Sequence, residues 1–124
     1  MGKVIHFEIP ATDTKSIAAF YTKVFGWKIQ KYAGGQMDYW LVTAGEDKEP
    51  GINGAIALKD ETHPTTINTI SVASFEDATK AIMQEGGKVL TPKMAVPNVG
   101  YMAYCKDPEG NLFGIMQVDP SAKM

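Results

Sequence analysis

Hydrophobic and polar positions follow two periods along this chain, and the same order of periods occurs twice. Residues 4–9 (Val-Ile-His-Phe-Glu-Ile) alternate with period two, which predicts a strand with one greasy and one polar face, broken at Pro10-Ala11-Thr12-Asp13. The period then lengthens. Ile17, Phe20, Tyr21 and Val24 fall at i, i+3, i+4 and i+7, a single core-facing stripe on a helix that Asp13 or Thr14 can cap and that Gly26 ends. Residues 27–32, 39–44 and 52–58 read as strands, with Gly34-Gly35 as a turn and a charged loop over 45–51. A polar connector, 59–66, holds His63-Pro64.

The second pass starts at residues 67–73, another strand. Ser74-Phe75-Glu76-Asp77 is a capping signature, Ala78, Ala81 and Ile82 form a helical stripe, and Gly86 ends it. Residues 88–90 form a short strand, 92–98 a loop with two prolines, and 101–105 a strand. Asp107-Pro108-Glu109-Gly110-Asn111 is a dense turn signal before a last strand over 112–118, and the tail over 119–124 is expected to be loose. Gly26 and Gly86 stand sixty residues apart, as do Gly54 and Gly114. A repeat of this length sets the architecture. The pattern predicts an α+β fold of two tandem βαβββ modules, about 4–58 and 67–118, within one domain of 124 residues.

Composition narrows the function. Net charge is −2 with no basic stripe, which argues against nucleic acid as partner. The apolar runs are too short to span a membrane, and no signal-peptide core precedes the first strand. A single cysteine, Cys105, excludes an internal disulfide and agrees with a cytoplasmic location. No phosphate loop, Ser-His-Asp pattern or zinc motif is present.

Three features together carry a resemblance. Ala19-Phe20-Tyr21-Thr22-Lys23-Val24-Phe25-Gly26-Trp27 resembles the helix-end signature of the vicinal oxygen chelate superfamily, which includes glyoxalases, bleomycin-resistance proteins and extradiol dioxygenases. Asp107-Pro108-Glu109-Gly110-Asn111 resembles its turn before the final strand, and the paired βαβββ order resembles its fold across essentially the whole chain. The resemblance implies a mixed sheet curled into a half-open cup with helices on the outer face, and a homodimer. In metal-dependent members four strand positions supply ligands, and lactoylglutathione lyases use His or Gln plus Glu there. Carried over, the first position falls on His6. The second falls on Gly54, or on Asn53 if the register slips by one. The third falls near Ile67, beside Thr66 and Asn68, and the fourth on Gly114. One position in four matches, whereas a divalent site with a labile position typically needs three protein ligands. Glycines at two strand positions either leave room for a ligand or permit curvature.

His6 and Glu8 share a strand face and should look into the cup, as a base, as a hydrogen-bonding anchor, or as partners of each other. Leu112, Gly114 and Met116 share another face, and Met102 joins the apolar inventory that lines small-molecule pockets. One of Tyr39 and Trp40 faces the cup, and the reading favours Trp40. Tyr21 reads as structural, His63 as a solvated loop residue, and Cys105 as inert. The expectation is therefore a small-molecule binding protein of the glyoxalase/bleomycin-resistance type. Its ligand-binding set is His6, Glu8, Trp40, Asn53, Gly54, Met102, Leu112, Gly114 and Met116, and no cofactor is expected. The alternative is a lactoylglutathione-lyase-like lyase or isomerase, either with a divalent metal or without one and using His6 or Glu8 as base. A third reading is a partner-binding module without a deep cup.

Overall fold

The computed structural model describes residues 1–33 and 38–123, so the turn expected at Gly34-Gly35 lies outside the described residues. The chain forms two compact units, one of His6–Ile67 and one of Met1–Ile5 with Asn68–Met124. Both are α+β, each a helix with a mixed sheet.

The first-half unit contains most of β1 (Val4–Ala11), then α1 (Thr14–Phe25), β2 (Lys28–Lys31), β3 (Tyr39–Thr43) and β4 (Gly54–Leu58). The sheet order is β2-β3-β4-β1, with β1 parallel to β4 and the other pairs antiparallel. β1 runs through Pro10 rather than breaking there. Proline withholds a donor but not an extended backbone, and the Lys59 N–H donates to the Ala11 carbonyl at 2.8 Å. Asp13 caps α1 by accepting the Ser16 N–H at 3.0 Å. Gly26 ends it in the left-handed conformation, φ +74°, with its N–H on the Thr22 carbonyl. Ala11, Ala18, Val42 and Ile56 form the core between α1 and the sheet, with Phe7, Ile9, Ile17, Trp27, Ile29 and Trp40 packed around them.

The α1 stripe differs from expectation. Thr14 and Ala18 are buried and Ile17 and Tyr21 half-buried, while Phe20 and Val24 are 53% and 55% exposed. The small Ala18 sits in the core beside Ile17, and Trp27 returns from beyond the helix to stack on Tyr21, ring centroids 4.7 Å apart. These groups occupy the inward side, so Phe20 and Val24 stay outside.

The second-half unit contains β5 (Ile67–Ser71, from Asn68), α2 (Phe75–Gln84), β6 (Lys88–Val89), β7 (Met94–Val96), β8 (Gly100–Lys106) and β9 (Leu112–Val118). Its order is β5-β9-β8-β6, with β7 also on β8 and β5 parallel to β9. Ser74 caps α2 through the Asp77 N–H, and Gln117 Oε1 accepts the Phe75 N–H. Phe75, Ala103, Cys105 and Ile115 form the core, joined by Val72, Ala78, Ile82, Val89, Tyr101 and Phe113. Two expectations are corrected. Part of the loop over 92–98 is strand: β6 and β7 both pair β8, as one edge strand interrupted around Pro92. There the Thr91 hydroxyl replaces a backbone acceptor for the Tyr104 N–H at 3.0 Å. Through Ala122 the tail is held, not loose. Asp119 N–H donates to the Val99 carbonyl, Asn98 N–H to the Ala122 carbonyl, and Ala122 is 1% exposed.

The sixty-residue echo of glycines is also out of phase. Gly54 pairs with Phe7 and Val42 on the face toward α1. In the second-half unit the face toward α2 carries Phe113, Ile115 and Gln117, so Gly114 lies on the opposite face. A shift of one residue moves a strand position to the other face.

Candidate functional site

On the face of the first-half sheet turned away from α1, the structure gathers four polar side chains. β1 alternates, so with Phe7 and Ile9 in the core His6 and Glu8 point the other way. Glu8 lies opposite Ala55 of β4, and Ala57 lies opposite Tyr39 of β3. Ala55 and Ala57 have no exposed surface, and their small side chains let Tyr39 reach across β4 to β1. Its hydroxyl donates to Glu8 Oε2 at 2.6 Å and lies 3.0 Å from His6 Nε2. The Tyr32 ring packs edge-on against Tyr39.

The fourth member comes from the connector. Asp60 Oδ1 accepts the Thr62 and His63 N–H groups, each at 2.9 Å, and the Thr62 hydroxyl at 2.8 Å. This turn folds His63 inward, with 2% exposure, and its Nε2 meets Glu8 Oε1 at 3.1 Å. His63 is therefore not the solvated loop residue that its neighbours suggested. The signal that could have found it is Asp60-Glu61-Thr62-His63, an Asx-turn sequence that ties a loop to itself.

The two imidazoles are pushed in opposite directions. Burial lowers the pKa of His6, partly opposed by the Glu8 charge. The hydrogen bond from His63 to Glu8 raises the pKa of His63 against its own burial, helped by the charges of Glu8 and Asp60. Glu8 is 3% exposed, so its carboxylate meets protein groups rather than bulk water.

The remaining expected residues lie elsewhere. Trp40 packs against the α1 core, its Nε1 donating to Asp38 Oδ1 at 2.8 Å; Tyr39, not Trp40, shares the face of His6 and Glu8. The alternation of β3 could not be phased from sequence, because no local signal fixes where its pairing begins. Gly54 leaves no ligand space. A Cβ there would overlap the Phe7 carbonyl oxygen and fall 2.6 Å from Phe7 Cγ. Asn53 precedes β4 and accepts the Ala44 N–H, closing the loop over 44–53. In the second-half unit, Met102 pairs with Met116, and Gly114 sits between Thr69 and Tyr104, with Leu112, Gly114 and Met116 on one face. A Cβ at Gly114 would fall 2.8 Å from Thr69 Oγ1, so that glycine accommodates its own neighbour.

The donor set does not fit a divalent ion. Both Glu8 oxygens and the Nε2 atoms of His6 and His63 are engaged in side-chain hydrogen bonds. Among the described residues no three His, Cys, Asp or Glu side chains converge as a metal site. The β4 positions on the same face as Glu8, Ala55 and Ala57, carry no donor.

Comparisons with known proteins agree with the architecture. A glyoxylase-like domain-containing protein of Didymella fabae is 31% identical over 92% of both chains. A Mycobacterium bovis protein with a provisional glyoxylase name is 26% identical over 90% of this chain, which spans 44% of that relative's length. A methylmalonyl-CoA epimerase solved with methylmalonyl-CoA and NH4+ has a similar fold, with a TM-score of 0.72 at 11% identity, covering 100% of this chain and 99% of that one. Among the described residues no helix is long and apolar enough to cross a membrane. A sequence profile matches residues 3–115, and the chain belongs to the Glyoxalase/Bleomycin resistance protein/Dioxygenase superfamily.

Proposed function

We propose that this protein binds a small organic molecule without a metal ion, on the first-half sheet, anchored by the His6–Tyr39–Glu8 network. The observation that carries this reading is the buried Glu8 carboxylate, held by Tyr39 and His63 on a strand whose other face is apolar. A buried ion pair is seldom a net gain in stability over well-packed apolar residues. Two strands and a loop converging on one carboxylate therefore argue for use rather than for packing. His6, half-buried at the end of the network, is the member within reach of a ligand. Such a site suits sequestration or carriage, as in bleomycin-resistance-type members of the superfamily.

The test is native mass spectrometry of the protein as purified, followed by thermal shift of chelator-treated protein with aromatic molecules, thiol conjugates and acyl-CoA thioesters. The last group enters because the structurally similar epimerase binds methylmalonyl-CoA. Retention of a co-purified organic molecule, or a rise in Tm without metal, is expected. Stoichiometric nickel or zinc that survives dialysis and disappears in His6→Ala would sink the reading, as would a panel with no effect.

One observation favours a second reading, a metal-free lyase or isomerase of the same superfamily. A His6 kept neutral by burial and connected to a carboxylate can act as a base. Turnover abolished in His6→Gln with ligand affinity retained would select it. The family resemblance also supports a homodimer in the cytoplasm; light scattering on the purified protein checks the dimer.

A further inference from the structure

Counting protons around the four side chains fixes which atom of the site meets a ligand. The Tyr39 hydroxyl has one proton and donates it to Glu8 Oε2, which as a carboxylate oxygen only accepts. The hydroxyl oxygen, 3.0 Å from His6 Nε2, must then accept, so Nε2 carries the proton of His6. A neutral imidazole has one ring proton, which leaves Nδ1 with a lone pair. Nδ1 has no hydrogen bond among the described residues. No buried side-chain nitrogen or oxygen among them is left without a partner, so Nδ1 is reached by solvent.

The same count at His63 gives the opposite state. The Thr62 hydroxyl donates its proton to Asp60 Oδ1, so its oxygen accepts from His63 Nδ1–H at 2.9 Å. Glu8 Oε1 accepts from His63 Nε2–H. With Glu8 ionised both ring nitrogens donate, which makes His63 an imidazolium between the Glu8 and Asp60 carboxylates. His6, with its single ring proton on Nε2, presents a neutral acceptor to the ligand.

We propose that the ligand-facing atom is the unprotonated Nδ1 of His6, held in that tautomer by Tyr39 and Glu8, and that the ligand donates to it from a weakly acidic X–H group such as a phenol or thiol. His63 is a positioning residue, acting through Glu8. The arrangement follows the general rule that the hydrogen bond at one imidazole nitrogen selects the role of the other. This rests on the binding reading above and adds the polarity of the ligand.

Two measurements test it. Side-chain nitrogen NMR of histidine-labelled, ligand-free protein at neutral pH should show His6 protonated at Nε2 with a bare Nδ1, and His63 protonated at both nitrogens. In Tyr39→Phe the His6 signals should move toward a tautomer mixture while His63 keeps both protons, a change that loss of packing alone would not confine to one ring. Titration with 4-chlorophenol and its methyl ether, 4-chloroanisole, should show about tenfold tighter binding of the phenol, the ratio expected of one hydrogen bond near 1.4 kcal/mol. In Tyr39→Phe that ratio should fall toward one. A His6 protonated on Nδ1, a neutral His63, or equal affinity for the two probes overturns the proposal. Neither probe binding at millimolar concentration overturns it too, and is distinguishable from failure of the binding reading, which turns on whether any organic molecule co-purifies or raises Tm.

Discussion

The sheet faces turned away from the two helices are built on the same order of elements and carry different chemistry. In the first-half unit that face holds His6, Glu8 and Tyr39, separated by Ala55 and Ala57, with His63 closing on Glu8. In the second-half unit it holds Thr69, Ser71, Leu112, Gly114, Met116, Met102 and Tyr104. One face is a hydrogen-bonded network around a buried carboxylate; among the described residues the other is hydroxyls, thioethers and a phenol, with the exposed Lys106 at its margin and no carboxylate or imidazole. Duplicated architecture thus preserves what the backbone needs, such as the helix-ending Gly26 and Gly86, and leaves the outward-turned strand positions free to diverge.

The sharpest way to break this contrast is to remove the charge at its centre. Glu8→Ala removes the buried carboxylate that Tyr39 and His63 converge on and should cost roughly 3–5 kcal/mol, read from the urea midpoint. Next come the two glycines. Gly54→Ala drives a methyl into the Phe7 backbone and should cost about 3 kcal/mol, whereas Gly114→Ala meets only the movable Thr69 side chain and should cost about 1 kcal/mol. Equal costs would mean that the two positions are equivalent after all.

Acid–base behaviour gives a third contrast, within the first-half unit. His63 has a folded pKa raised above its ordinary 6.5, so its stabilising contribution is complete below 6.5 and lost as pH rises through the raised value. His6 has a lowered one, so its contribution is complete above 6.5 and lost as pH falls through the lowered value. Tm against pH should decline on both sides. His63→Gln should flatten the alkaline limb and His6→Gln the acid limb; a variant that flattens neither removes the assignment. The smallest effect is expected outside the network. Phe20→Ser, on the exposed side of α1, should change stability by less than about 0.5 kcal/mol and raise solubility.

What could be read from the sequence was what neighbours in the chain decide. Asp13 and Ser74 cap helices through N–H groups three residues on, and Asp107 builds its turn from Glu109 and Asn111, so both are local signals. The shared face of His6 and Glu8 follows from alternation within one strand. What stayed hidden depends on registry between distant segments. His63 meets Glu8 from fifty-five residues away. Tyr39 reaches Glu8 only because β4 presents alanines between them, and Gly54 pairs with a core-facing Phe7 whereas Gly114 pairs with Thr69 on the face away from α2, so an offset of sixty equates positions on opposite faces. β7 is three residues long between two prolines, so its strand character comes from β8 rather than from its own composition.

The interruption between β6 and β7 has a consequence for colloidal behaviour. β8 would otherwise present a long row of backbone donors and acceptors at the margin of its sheet, a template for a foreign strand. Instead that margin is covered by two short pieces, with Pro92 and Lys93 between them and the Thr91 side chain filling the gap in the ladder. No incoming chain finds an uninterrupted line of hydrogen-bonding groups there. Replacing Pro92 with a strand-forming residue would straighten the margin, and the penalty would appear as fibril seeding in concentrated solution before any loss of folding.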